Sequence, residues 1–184
     1  MKRVDALNAS EGASLDITVY DPLSSPKLLD MTLNNGNPTY YHSANSSDWG
    51  PELEDLVQKV DAADAFIIVC PEYNHTIPPA LTCIMNHVGC SKYANKVSGT
   101  VTYSGFSSAA GGARCAVALR PFLSELGCLP VSKQVVIPDA NGQLDEEGTP
   151  QGAHTSGLEK TSDAMLEQLR WWATAARAMR SKAE

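Results

Sequence analysis

This chain is short of positive charge. It carries 14 Lys and Arg against 21 Asp and Glu, a formal net charge of −7. Phosphate-rich surfaces are held by clustered Lys and Arg, so the deficit argues against nucleic acid or an anionic membrane as a general partner. No apolar stretch approaches the ~20 residues needed to cross a bilayer. The opening residues, MKRVDALNASEG, contain no apolar h-region of a secretory signal. None of the five cysteines (Cys70, Cys83, Cys90, Cys115, Cys128) forms a Cys-x-x-Cys pair. Cys83, His87 and Cys90 would share one face of a helix, which leaves a metal site conceivable; small buried residues in a reducing compartment are the favoured reading. What is present is an ordinary globular composition, 43% hydrophobic and 19% charged. With no repeat and no composition shift, residues 1–184 are expected to form a single cytoplasmic domain. At ~150 residues a chain already buries about 68–70% of its unfolded surface.

Apolar runs alternate with helical patterns. Residues 15–20 (LDITVY) predict a short strand and residues 51–63 a helix, with Leu53, Leu56, Val57 and Val60 at helical spacing and Pro51 in a favoured first position. Residues 65–70 (AFIIVC) read as a strand buried on both faces, and residues 79–88 as a short helix. Residues 96–103 (KVSGTVTY) predict a strand weakened by Gly99. Residues 112–126 predict a helix ended by Gly127 and kinked at Pro121, where the carbonyl of Val117 loses its donor. Residues 131–137 predict a strand. Residues 158–179 predict a long helix with Leu158, Met165, Leu169, Trp172, Ala176 and Met179 on one stripe. The alternation implies a parallel sheet covered by helices through right-handed crossovers. Residues 21–50 and 139–157 lack periodicity and are expected to be surface loops, long enough to have a role.

In an open parallel sheet, ligands sit beyond the carboxyl ends of the strands. Two such ends are unusual. After residues 65–70 come Pro71, Glu72, Tyr73 and Asn74; after residues 96–103 comes SGFSSAAGG, residues 104–112. The first loop combines a rigid proline, an aromatic face with a polar tip, and an amide that both donates and accepts. That set suits a planar heterocycle with carbonyl and N–H groups on its edge. It equally suits a structural role, in which Asn74 or Thr76 caps the helix at Pro78/Pro79 and Tyr73 packs as core. The glycines of the second loop allow close backbone approach, and the N-terminus of the helix that follows favours negative charge. A plain strand-to-helix turn would look the same.

Taken together, PEYN (residues 71–74), the I-P-P-x-L that follows (residues 77–81), the small-residue loop and L-R-P-x-L-x-x-L-G (residues 119–127) resemble the NADPH-dependent FMN reductase family of flavodoxin-like proteins. The likeness runs from about Ala6 to Ala176. It implies a flavodoxin-like three-layer α/β sandwich around a parallel sheet. It also implies bound FMN, with NADPH or NADH as hydride donor and a flavin, quinone, azo dye or metal ion as acceptor. By resemblance the flavin contacts are Pro71, Glu72, Tyr73 and Asn74 with Ser104, Gly105, Gly111 and Gly112. The flavin carries the hard chemistry while the protein positions it, so no catalytic acid or base is assigned. His75 is expected to face solvent or a subunit boundary. A homodimer or homotetramer is implied by the family alone.

The sequence also departs from that pattern. The family's first strand and its glycine-serine-x-arginine phosphate loop have no visible counterpart, since residues 1–22 align with the end of the first helix and the second strand. Two or three missing hydrogen bonds to a phosphate, at roughly 1.5–3 kcal/mol each, remove about 3–9 kcal/mol, or ~2 to 6 orders of magnitude in affinity. Residues 16–20 would then pair with residues 66–70, borrow a strand, or leave exposed edges. Where the family reads leucine-lysine-asparagine-x-x-aspartate, this chain has Leu81, Thr82, Cys83, Ile84, Met85 and Asn86. These departures motivate an alternative of another class, a non-catalytic interaction or regulatory subunit. A one-electron carrier is a weaker third reading.

Overall fold

A computed structural model describes residues 4, 5, 8, 15–24, 26–30, 50–107 and 110–182, with the His154 side chain left out. The helices are α1 (Pro26–Asp30), α2 (Pro51–Ala62), α3 (Pro79–Asn86), α4 (Cys90–Tyr93), α5 (Ala113–Glu125), α6 (Ala140–Gln143) and α7 (Thr155–Arg180). The strands are β1 (Ala65–Pro71), β2 (Val97–Tyr103), β3 (Leu129–Pro130) and β4 (Val135–Ile137). The central β2 pairs in parallel with β1 on one side, from Ala65 opposite Val97 to Pro71 opposite Tyr103. On its other side it pairs with β3 and then β4, both parallel. The expected α/β architecture, a parallel sheet between helical layers, is what forms.

The single strand predicted over residues 131–137 is in fact interrupted. The Val131 N–H still donates to the Ser98 carbonyl of β2 at 2.9 Å, but beyond it side chains take over from the ladder. Arg120 Nη2 donates to the carbonyls of Val131 and Ser132 at 3.0 and 3.1 Å, and the Lys133 N–H donates to Gln168 Oε1 at 2.9 Å. Gln134 Nε2 donates to Thr100 Oγ1 at 3.0 Å, and the chain then rejoins β2 at Val135.

Alternation along β2 sorts the two cores. On one face β1 lays Phe66, Ile68 and Cys70 against Leu28 of α1, Leu53 and Leu56 of α2, and Leu119 and Leu123 of α5. On the other, Val97, Val135 and Ile137 meet Met165, Leu166 and Leu169 of α7. Gly99, expected to weaken β2, has a packing role: a Cβ there would lie 3.2 Å from Met165 Sδ, so its absence lets α7 sit close. The predicted α7 stripe is correct at Leu158, Met165, Leu169 and Ala176, but Trp172 and Met179 are exposed. Past Leu169 the contacts with the sheet side pass to Ala173 and Ala176, small residues that the helical period also allows.

Three other expectations fail. Residues 15–20 form no ladder, although Leu15 and Ile17 pack on the α7-side core and Tyr20 on the opposite one. Among the described residues, β1 therefore pairs only with β2. Nor is β1 buried on both faces: Ile67 is 37% and Val69 62% exposed, both on the side away from Phe66 and Ile68. Finally, residues 21–50 are not all loop. Helix α1 lies within them and buries Leu28 completely, while residues 31–49 lie outside the described ones. The second expected loop, residues 139–157, contains α6 and the start of α7.

Two buried polar side chains finish helices. Lys96 sends its ammonium to the carbonyls of Val60 and Asp61 at the end of α2, 2.7 and 2.6 Å away. Cations are favoured there, although burial still pulls its pKa below the usual lysine value. His87, just past α3, places Nε2 2.9 Å from the carbonyl of Leu28 and holds α1 against α3. Of the three residues expected on one helical face, Cys83 and His87 meet, with Sγ 3.6 Å from Nε2, whereas Cys90 opens α4 and is not on that helix.

Candidate functional site

The register puts the two candidate loops side by side. Pro71, the last residue of β1, lies opposite Tyr103, the last of β2, and the Glu72 N–H donates to the Tyr103 carbonyl at 2.8 Å. The Ser104 N–H donates to the carbonyl of Ile137, the last residue of β4, at 3.0 Å. Three consecutive strand ends thus form one rim, and the loop after β4 joins it: the amides of Ala140 and Asn141 donate to the carbonyls of Ser104 and Gly105.

Tyr73 and Thr76 exchange backbone hydrogen bonds of 3.1 and 2.9 Å around Asn74 and His75. Both central residues have positive φ, 49° and 63°. This is the pattern of a type I′ turn, and Asn and His are among the non-glycine residues that adopt positive φ most readily. The turn speaks against the structural role considered for this loop. Neither Asn74 nor Thr76 caps α3, whose N-cap is Pro78 with no side-chain bond. Tyr73 is not core either, since 58% of it is exposed. The turn therefore holds an aromatic ring out over the rim. The N–H groups of Asn74 and His75 donate to nothing among the described residues, leaving donors for a ligand edge that carries acceptors.

Glu72 has a different task from its neighbour. Its side chain is largely buried and runs to the start of α5, where Oε2 accepts from the N–H groups of Arg114 and Cys115 at 3.0 and 3.2 Å. Arg114 Nη1 adds a longer contact of 3.5 Å. A carboxylate at a helix N-terminus is favoured by the dipole and satisfies orphan donors. The helix end expected to receive negative charge from a ligand is thus occupied by the protein's own carboxylate. Glu72 ties the two loops together across the rim.

Gly111 and Gly112 are also committed to the frame. Both are buried. A Cβ on Gly111 would fall 2.6 Å from the Pro138 carbonyl oxygen, and one on Gly112 2.8 Å from the backbone of Thr102 and Tyr103. Gly112 further needs φ +83° to start α5. These glycines seat the loop onto the strand ends. Gly105 has more room, with only Asn141 Nδ2 at 3.7 Å from its absent Cβ. Ser104 Oγ turns back to the carbonyl of Phe106 at 2.8 Å. Phe106, missed in reading the sequence, is 80% exposed, a second aromatic on the rim. Its signal was visible as the one bulky residue among the small ones of residues 104–112. Tyr103, half-buried behind Tyr73, has its phenol pKa raised by burial and by the neighbouring Tyr73 and Cys70.

This arrangement fits a flat, acceptor-edged ring: two exposed aromatics, free amides on a rigid turn, and loops cross-braced by Glu72. Among the described residues it gives no cluster of cations for a phosphate.

Comparison with known proteins agrees with the geometry. No curated protein sequence is significantly similar to this chain. In fold it is similar to an oxidoreductase from Corynebacterium diphtheriae (TM-score 0.70, 14% identity, covering 95% of this chain and 84% of that one). It is also similar to FerB, a flavoenzyme NAD(P)H:(acceptor) oxidoreductase from Paracoccus denitrificans (0.60, 17%, 85% and 93%). A third likeness is to the apo form of an NADH:FMN oxidoreductase, EmoB (0.57, 17%, 89% and 76%). Residues 6–142 match the family described as NADPH-dependent FMN reductase. That match spans most of the chain and includes β1, β2, both rim loops and Glu72, so the chain belongs to the NADPH-dependent FMN reductase family, whose enzymes work with FMN and NAD(P)H.

Proposed function

We propose that this chain passes hydride from NAD(P)H, through FMN held on the β1–β2 rim, to a flavin, quinone or similar small acceptor. The observation that carries the reading is the exposed Tyr73 on a rigid turn whose neighbouring amides are unspent. Bound FMN supplies hydride acceptance and release. The protein's part is position. Tyr73 and Asn74 flank the ring on one side, and Ser104, Gly105 and Phe106 border the other. Pro71 and Glu72 hold the first loop, Gly111 and Gly112 seat the second, and no side chain need move a proton. Titrating FMN into the purified protein tests this: flavin fluorescence should quench, and NADPH should be oxidised when an acceptor is added. Correctly folded protein that does neither removes the reading.

A non-catalytic interaction subunit is the second reading. Its support is the helix α5 N-terminus taken by Glu72, together with no cation cluster beside it among the described residues. NADPH oxidation comparable to that of the family's enzymes would refute it. A cytoplasmic location belongs to the leading reading and rests on five free thiols, which suit a reducing compartment. Assembly as a homodimer or homotetramer rests on the family alone and is checked by light scattering.

A further inference from the structure

The geometry points to a second redox site beneath the rim: we propose that Cys70 and Cys115 form a reversible intramolecular disulfide when the protein meets a peroxide. Their sulfurs lie 3.3 Å apart, 45 positions from one another in the chain. A disulfide needs about 2.04 Å, so closure asks for a movement of roughly 1.3 Å. Cys70 is next to last in β1 and Cys115 lies in the first turn of α5. Both are completely buried. The sulfurs of Cys83 and Cys128 lie instead against the carbonyls of Leu28 and Tyr93. The two thiols take no part in the flavin reading, and nothing in the core requires sulfur on sulfur.

The roles of the two thiols follow from their surroundings. The hydrogen bond from Cys70 holds the Cys115 thiol below its ordinary pKa, while the same bond and burial push Cys70 upward. The thiolate is the nucleophile in such chemistry, so Cys115 attacks first. Its sulfur displaces hydroxide from hydrogen peroxide, the O–O bond breaks, and Cys115 becomes a sulfenic acid. The Cys70 sulfur then attacks the Cys115 sulfur, the S–O bond breaks, and hydroxide leaves with the Cys70 proton as water. Two thiols and one peroxide give one disulfide and two waters, each sulfur giving up one electron. Burial disfavours bulky oxidants, and peroxide reaches the pair through local opening of the rim. Burial also shields the product from bulk thiols. The bond would tie covalently the same two segments that Glu72 joins through hydrogen bonds.

The test uses reduced, full-length protein without FMN or NADPH, so its outcome does not depend on the flavin reading. The protein is treated with hydrogen peroxide, denatured in iodoacetamide, digested and weighed. The expected product is one peptide pair joining Cys70 to Cys115, with the loss of two hydrogens, reversed by dithiothreitol, while Cys83, Cys90 and Cys128 stay alkylated. In Cys70→Ser, dimedone present during denaturation should label Cys115 as the trapped sulfenic acid. Recovery of both residues as alkylated thiols or as sulfonic acids would overturn the proposal, and so would cross-links spread among all five cysteines. The wild-type measurement stands alone if the variant fails to fold.

Discussion

Glu72 and Cys115, 43 positions apart, meet at 3.2 Å: the carboxylate of one loop accepts the amide that opens the helix after the next. The contact couples the end of β1 to the start of α5, so one side chain sets the spacing of the two loops that form the rim. Most of its value comes from being charged and largely shielded, as bonds to ionised acceptors exceed neutral ones.

Replacing Glu72 by Ala should destabilise the fold by about 1–3 kcal/mol, the usual cost of stripping a partner from sheltered donors. Glu72→Gln keeps an acceptor and should recover part of it. Glu52→Ala removes an exposed pair with Lys27 and should leave the midpoint almost unchanged. Urea unfolding followed by circular dichroism ranks the three. An order in which Glu52→Ala costs most would show that the cap is unimportant.

Tyr73→Ala should leave the thermal midpoint near the wild-type value, because the ring is exposed, yet weaken FMN binding about tenfold, an aromatic contact being worth roughly 0.5–1.5 kcal/mol. Asn74 separates backbone from side chain. Its φ of 49° suits Gly, whereas Ala there should cost about 1 kcal/mol. Isothermal titration and differential scanning calorimetry on the three variants resolve affinity from stability. A collapse of stability in Tyr73→Ala would return the residue to the core.

Two of the left-handed glycines, Gly112 and Gly148, offer a controlled comparison. Both have positive φ, but a Cβ at Gly112 strikes β2 backbone, whereas nothing lies within 4 Å at Gly148. Gly148→Ala should cost about 1 kcal/mol from conformation alone. Gly112→Ala adds overpacking against atoms that cannot yield, for about 2–4 kcal/mol in total. Equal losses in chemical denaturation would mean that the loop moves freely off the strand ends.

Burial raises the Cys128 thiol from 9.0 to about 11. Below pH 9 it is protonated in both states and contributes its full stability. Between pH 9 and 11 the unfolded chain loses a proton that the folded one keeps, so stability falls by roughly 2–3 kcal/mol. Lys96, whose pKa burial lowers, acts in the opposite direction, and Tyr93, whose pKa burial raises, reinforces the fall at higher pH. Subtracting the pH profile of Cys128→Ala isolates the thiol. A variant profile parallel to wild type across that window would show that Cys128 ionises freely.

Much of this protein was written locally. Apolar runs and helical patterns placed β1, β2, α2, α5 and α7 within a few residues, because each buries residues that its own composition and spacing encode. Pro51 and Gly127 marked helix ends because their backbone preferences are intrinsic. The PEYN and glycine loops could be singled out, and their family named, from residue types alone. Tertiary structure decided the rest. Which member of PEYN faces outward depended on Glu72 finding the α5 amides. The roles of Gly111 and Gly112 depended on how close β2 and Pro138 come. The break between β3 and β4 depended on Arg120 and Gln168, which no strand pattern contains. Leu28 was hidden in a segment without periodicity, and its burial comes from neighbours far along the chain. Local spacing specifies which face an element must bury; only the assembled packing determines what it is buried against, and therefore which polar groups remain free to bind.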